Sequence, residues 1–189
     1  NSWLFEFPSL PKGRFNSVCF VYRDSLYVFG GTDNSSNMNE IVRYDLSTQN
    51  SGEWTTIAKV NEANQRGGVA FVVEDKVYAG LGEKSNGIRN GFYVSSDSLT
   101  KWELIPSIPA QLGVISSGVY DEQKKSFFMI DNDGKIWEYN LTTEQWTSRS
   151  LWIRMKNYHM FMLDGSIYIL GQDIYQKNKF TVYNPIWDN

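Results

Sequence analysis

A tryptophan returns at one place in a repeated order of residues, and this constrains the fold more tightly than any local propensity. Trp54, Trp102, Trp146 and Trp187 stand 48, 44 and 41 residues apart, and Trp3 precedes Trp54 by 51. Between anchors the chain runs in the same order: an apolar run, a run containing tyrosine, a second tyrosine, the next tryptophan. Four strand-like runs in a period of this size are the signature of a propeller blade, a small sheet that buries its faces against neighbouring sheets. Aromatics make up 15% of the sequence and are spread evenly, with polar turns between the runs, which also favours an all-β chain.

The first repeat predicts strands over residues 15–23, 26–31, 41–46 and 53–58, with a polar loop over 32–40. Residues 15–23 are almost continuously apolar, as expected of a strand covered on both faces near a propeller axis. The second repeat gives 67–74, 76–82, 91–96 and 102–105, with its long loop at 83–90. The third gives 114–120, 126–131, 135–140 and 146–148, and Asn132-Asp133-Gly134 signals a tight hairpin. The fourth gives 157–163, 166–171 and 180–184, without room for a full fourth strand. The repeats, approximately 12–58, 64–105, 111–148 and 154–187, read as one domain over 1–189.

A short strand at 2–7, closed by Pro8 and Pro11, has no partner in its own repeat. Two readings follow. The chain forms about four four-stranded blades, with strand 2–7 completing the last one and protecting its edge, or it is part of a larger ring. The start at Asn1 without methionine fits a removed leader or excision from a longer protein.

The formal net charge is −3 with both signs interspersed, so no field is set up to collect nucleic acid or an anionic membrane. No apolar run approaches the roughly 18–20 residues of a membrane span. A single cysteine, Cys19, leaves no intramolecular disulfide and no cysteine cluster for a metal.

The first repeat resembles a Kelch repeat. Leu26-Tyr27-Val28-Phe29-Gly30-Gly31, Val42-Arg43-Tyr44-Asp45 and Trp54-Thr55-Thr56-Ile57 follow that family's order of double glycine, Tyr-Asp and Trp. Lys156 to Gly171, with Tyr183, Asn184 and Trp187, resembles another, with Gln172 in place of one glycine. The second repeat keeps one glycine at that place and the third keeps none. Ser95-Ser96-Asp97-Ser98-Leu99-Thr100-Lys101-Trp102 resembles the Asp box of sialidase-like propellers, with Leu99 in place of glycine and Lys101 in place of threonine. That resemblance implies a stabilised turn away from any catalytic centre. Chains mixing the two kinds of blade look similar to uncharacterised bacterial surface or periplasmic proteins, which is an analogy about location only.

Catalytic constellations are hard to assemble from this composition. Cys19 and His159 fall in predicted first strands among apolar neighbours, so both are expected to be buried and structural. The copper oxidases among Kelch propellers need two histidines, and this chain has one. Sialidase chemistry needs an arginine triad, a nucleophilic tyrosine and an acid, and no paired-acid signature accompanies the arginines here. Zinc, calcium and phosphate-loop motifs are absent, so no cofactor is expected.

The remaining candidates lie on one rim. Aligning back from Tyr27, Tyr78, Phe128 and Tyr168 places Arg14, Arg66, roughly Gln111, and Lys156 at equivalent lead-in positions. Three are basic, so a cationic mouth that receives a carboxylate is one reading, and side chains capping the end of an axial channel are the other. The loops add Asp33, Asn34, Asn37, Arg89, Asn90, Asp173 and Tyr175, and Trp152 beside Arg154 is the one aromatic off the packing register that suits ligand contact. The function expected is a noncatalytic module that binds a protein or glycan through these loops. The alternative is a fragment of a sugar-active propeller enzyme, sialidase-, epimerase- or oxidase-like, whose catalytic groups lie partly outside this sequence.

Overall fold

The computed structural model describes residues 8–48, 52–60, 65–87, 91–96, 98–152, 155–173 and 175–185. The contacts divide the chain into two units, Asn1–Ile105 and Pro106–Asn189. In the first, β1 (Val18–Tyr22), β2 (Ser25–Phe29), β3 (Glu40–Asp45) and β4 (Thr55–Lys59) form one antiparallel meander. A second is formed by β5 (Val69–Val73), β6 (Lys76–Gly80), β7 (Phe92–Ser96) and β8 (Glu103–Leu104). The second unit holds β9 (Ile115–Asp121), β10 (Ser126–Asp131), β11 (Lys135–Asn140) and β12 (Gln145–Trp152), then β13 (Lys156–Leu163), β14 (Ser166–Gln172) and β15 (Asn178–Tyr183). Every predicted strand within the described residues is present, and the last sheet has three. Strand 2–7 lies outside the described residues, as do the anchors Trp3 and Trp187.

Turn chemistry sets the registers. Leu163 faces Ser166 across Asp164-Gly165, both at positive φ (49° and 72°), which is the two-residue turn that Asp-Gly favours. At Asn132-Asp133-Gly134 the expected hairpin closes with Gly134 N–H donating to the Asp131 carbonyl at 2.9 Å. In each unit the core lies between its two sheets. Phe20, Tyr22, Tyr27, Phe29 and Ile41 meet Val77, Ala79 and Leu99 in the first, and Phe128, Ile130 and Ile136 meet Tyr158, Ile167 and Ile169 in the second. Each such aliphatic or aromatic side chain contributes roughly 1.5–3 kcal/mol by leaving water. The first strands of neighbouring sheets lie side by side, β1 with β5 and β9 with β13, which is the radial order of blades.

The tryptophans serve packing, with differing reach. Trp102 stacks on Phe29 of the preceding sheet at 6.1 Å, so it spans the space between blades. Trp54 and Trp146 instead pack on Tyr44 and Tyr139 of their own sheets, at 5.3 and 4.8 Å.

One expectation is corrected. Residues 15–23 are not covered on both faces: β1 alternates, with Val18, Phe20 and Tyr22 buried and Cys19 and Val21 exposed. The run is apolar on both faces, but only one has a sheet packed on it. The last sheet repeats the pattern, with Phe161, Leu163, Leu170, Phe180 and Val182 exposed on strands whose other face is core.

The double glycine marks where the lead-in to the next blade crosses the end of the first. Gly31 N–H donates to the Gln65 carbonyl at 2.8 Å, and Gly67 N–H donates to the Asn16 carbonyl at 2.7 Å. A Cβ on Gly30 (φ +64°) would sit 2.8 Å from the Gln65 carbonyl oxygen, closer than carbon tolerates. The lead-in of the second blade carries its own pair, Gly67-Gly68, and a Cβ on Gly68 (φ +97°) would meet the Gly80 carbonyl oxygen at 2.3 Å and Gly82 N at 2.8 Å. Gly67 (φ +66°) has nothing within 4 Å. Gly67→Ala should therefore cost only the left-handed penalty, about 1 kcal/mol, whereas Gly68→Ala should cost roughly 3 kcal/mol or more because backbone atoms block it. Urea unfolding midpoints of the two variants test this, and equal losses would contradict the close-approach account.

Candidate functional site

The strand registers correct the alignment of the lead-in residues. Phe20 pairs with Tyr27 and Phe71 with Tyr78, while the flanking bridges join Phe15 to Thr32 and Arg66 to Glu83. Arg66 is thus the counterpart of Phe15, and Arg14 that of Gln65. Arg14 and Gln65 do related work. The Arg14 side chain, 1% exposed, donates from Nη1 to the Gly30 carbonyl at 3.2 Å and from Nη2 to Glu40 Oε2 at 3.4 Å. Gln65, fully buried, accepts from Gly82 N–H at 3.2 Å and donates to the Gly67 carbonyl at 3.4 Å. Both fasten the glycine segments beneath them, so Arg14 turns inward and its charge is matched by Glu40.

Arg66 points outward. Its side chain is 47% exposed, and its Nε and Nη2 each lie 3.0 Å from Glu83 Oε2. Gln111 is exposed in the turn before β9. Only the backbone of Trp152, which closes β12, and of Lys156, which opens β13, is described, and Arg89, Asn90 and Arg154 lie outside the described residues.

The loop between β2 and β3 is held from within. Asp33 Oδ1 accepts Ser35 N–H at 2.9 Å, Ser35 Oγ–H at 2.6 Å and Ser36 N–H at 3.0 Å, while Oδ2 pairs with Lys12 at 2.6 Å. Asn37 Nδ2 donates to the Glu83 carbonyl at 2.9 Å, tying this loop to the second blade. Asn34, Ser35 and Ser36 remain exposed above that frame. The loop between β14 and β15 uses the same device: Asp173 accepts Tyr175 and Lys177 N–H at 2.9 Å each, leaving Tyr175 76% exposed.

Cys19 and His159 are both exposed, not buried as their apolar neighbours suggested, because each points to the outer face of an alternating strand. Partial desolvation still pushes the Cys19 thiol pKa up, away from a reactive thiolate.

Sequence reasoning missed Asp131. It occupies the place of Gly30 in the third repeat, buried, with its carboxylate accepting Asp133 N–H (3.1 Å), Lys135 N–H (2.9 Å), Trp137 Nε1–H (2.9 Å) and Gly113 N–H (3.4 Å). Trp137, off the tryptophan register, is thereby a packing residue. The available signal was an aspartate at the strand end where the repeat otherwise has glycine.

With this geometry in hand, comparison with known proteins is direct: residues 13–61 match the Kelch motif. The chain carries a Kelch repeat. A solved structure described as "Structure of YjhT" matches at a TM-score of 0.67 and 10% identity, over 93% of this chain and 67% of that one. At that identity the likeness is one of fold, and the fold is an all-β propeller of about four Kelch-like blades. No curated protein sequence matches. Kelch repeat and propeller fold together support a propeller binding module or domain. Among the described residues, no helix is long and apolar enough to cross a membrane.

Asp33 gives the loop a measurable signature. Lys12 first, then the Ser35 hydroxyl and the Ser36 and Ser35 amides, hold its pKa far below the usual carboxylate value of about 3.9. A depressed folded pKa adds stability that is complete above the unfolded value and is lost only as pH falls through the folded one. Carboxyl NMR titration should show Asp33 still ionised at about pH 3, with Lys12→Ala and Ser35→Ala each moving its midpoint upward. An ordinary midpoint in the native chain would mean the loop is not held this way.

Proposed function

We propose that residues 1–189 are a single Kelch-like propeller domain that works as a noncatalytic binding module. It recognises a protein or a glycan through the loops at the double-glycine end of its blades. The observation that carries this reading is the construction of those loops. Asp33 and Asp173 each gather backbone N–H groups of their own loop, so polar and aromatic side chains are presented on a frame already ordered before any partner arrives. Ordering such segments on binding costs about 0.5–1.5 kcal/mol per side chain, and a preformed loop avoids much of that.

The contact residues divide by role. Tyr175, exposed and rigidly based, offers the amphipathic ring that most often anchors an interface. Arg66, half-exposed and oriented by Glu83, offers a guanidinium for a carboxylate or carbonyl. Asn34 and Ser35 supply hydrogen bonds from the first blade. Arg89, Asn90, Trp152, Arg154 and Lys156 belong to the same proposal from sequence. Arg14 takes a supporting part beneath the surface.

A glycan array and an affinity capture of protein partners, each run with the native chain and with Tyr175→Ala, Arg66→Ala and Trp152→Ala, tests the reading. The account expects one ligand whose binding falls at least about tenfold in Tyr175→Ala or Arg66→Ala with unchanged unfolding midpoints. Equal binding by all four proteins would reject this rim as the binding surface.

A further inference from the structure

The two faces of a blade are not alike, and strand register tells them apart. In the first sheet Phe20, Tyr22, Tyr27, Phe29 and Ile41 carry the second sheet, and each is 7% exposed or less. In the third sheet Phe128, Ile130 and Ile136 hold the places of Tyr27, Phe29 and Ile41 and carry the last sheet. The last sheet has the same face, built in the same way. Phe161 faces Tyr168 as Phe20 faces Tyr27, Leu170 faces Phe180 as Phe29 faces Ile41, and Leu163 closes its hairpin where Tyr22 does.

Even the ring pair is kept. Phe20 and Tyr27 stack at 5.1 Å with 6° between their planes, and Phe161 and Tyr168 stack at 5.2 Å with 9°. Yet Phe161, Leu163, Leu170 and Phe180 are 40–56% exposed. The Phe180 ring lies 5.5 Å from Tyr168 and 6.4 Å from Phe161, so apolar surface runs unbroken across all three strands. Single exposed apolar side chains are ordinary, whereas a contiguous aromatic patch marks an interaction surface. We propose that this open face of the last sheet seats the first sheet of a second copy of this chain.

The covered pairs say what such a face accepts. The sheet seated on the first one contributes Val77, Ala79 and Leu99, with Ala70 beside them, which are small or aliphatic side chains that let two sheets approach. The places of Val77 and Ala79 are taken by Phe127 and Met129 in the third sheet and by Ile167 and Ile169 in the last, and all six are fully buried. The first sheet differs. Cys19 and Val21, at the places of Ala70 and Val72, are exposed, and Leu26, at the place of Val77, is half-buried. Val28 is already covered, so β1 and Leu26 make the contact. Among the described sheets the last therefore has the open seat, and the first has the matching side still uncovered along β1. Because the two surfaces differ, the contact is heterologous: the last sheet of one copy takes the first sheet of another.

The test is sedimentation velocity of the native chain across a concentration series, paired with the alkylation rate of Cys19, the single cysteine of the chain. The expected result is association that grows with concentration while alkylation slows, since Cys19 lies in the contact. Phe180→Glu and Val21→Glu should each weaken association at least about tenfold with unchanged unfolding midpoints. Mixed together, the two variants should associate again as pairs, because each keeps the surface the other has lost. Leu104→Glu, which alters an equally exposed apolar residue of β8, should associate like the native chain. If Phe180→Glu fails to fold, Leu163→Glu on the same face takes its place. The proposal is overturned if the native chain stays monomeric, if Val21→Glu associates like the native chain, or if Cys19 is protected equally at every concentration, which would mean that the face is closed within one copy. Neither surface includes Tyr175 or Arg66, so failure here leaves the rim of the proposed function untouched.

Discussion

Everything that positions the rim depends on a crossing of two backbones at van der Waals contact or closer. Where the lead-in of one blade passes the end of the second strand of another, no side chain fits between them, and the hydrogen bonds of Gly31 to Gln65 and Gly67 to Asn16 fill the gap. Such amides would otherwise be buried without partners, at a cost of about 1–3 kcal/mol each. The equivalent strand ends of the three repeats are built differently. The first uses Gly30-Gly31 with Arg14 beneath. The second moves its glycine pair to the lead-in and places Leu81, fully buried at φ +63°, where the first has Gly30. The third abandons glycine and uses the Asp131 carboxylate to collect the donors. The double-glycine motif fades along the chain while the four-stranded order of the second and third sheets is kept.

This crossing separates the two ends of a blade chemically. At the glycine end the segments are clamped, so the connecting loop can be long and polar and still ordered, as the Asp33 and Asp173 frames show. At the other end the β1–β2 turn is two residues long, Arg23-Asp24, and strand-end side chains come together, among them Arg23, Ser25, Arg43 and Asp45. In the turn of the second blade, Leu99 accepts a left-handed φ of +55° while sitting fully buried in the core.

Most of the strand order was legible in the sequence, because tyrosine, tryptophan and turn residues recur at the positions where four short strands must start and stop. Exposure was not. Val18-Cys19-Phe20-Val21-Tyr22 is apolar at every position, and period-two reasoning has no polar residue there to mark the outer face, so Cys19 was assigned to the interior it does not occupy. The one-residue error that made Arg14 and Arg66 equivalent has a similar origin, since spacing from Tyr27 and Tyr78 cannot see which lead-in residue bridges the second strand. Asp131 and Ser25 were illegible as partners because their importance comes from cross-strand neighbours.

The measurement closest to the central claim is native-state hydrogen exchange at the Gly31 and Gly67 amides, which carry the crossing. If the lead-in of the second blade is clamped to the end of the first, both amides should exchange only with unfolding of that whole sheet pair, as slowly as the amides of Val28 and Val77 in the strand interiors. Exchange at the rate of an exposed loop, while Val28 and Val77 stay protected, would show that the blades are not joined at their glycines and would contradict the account.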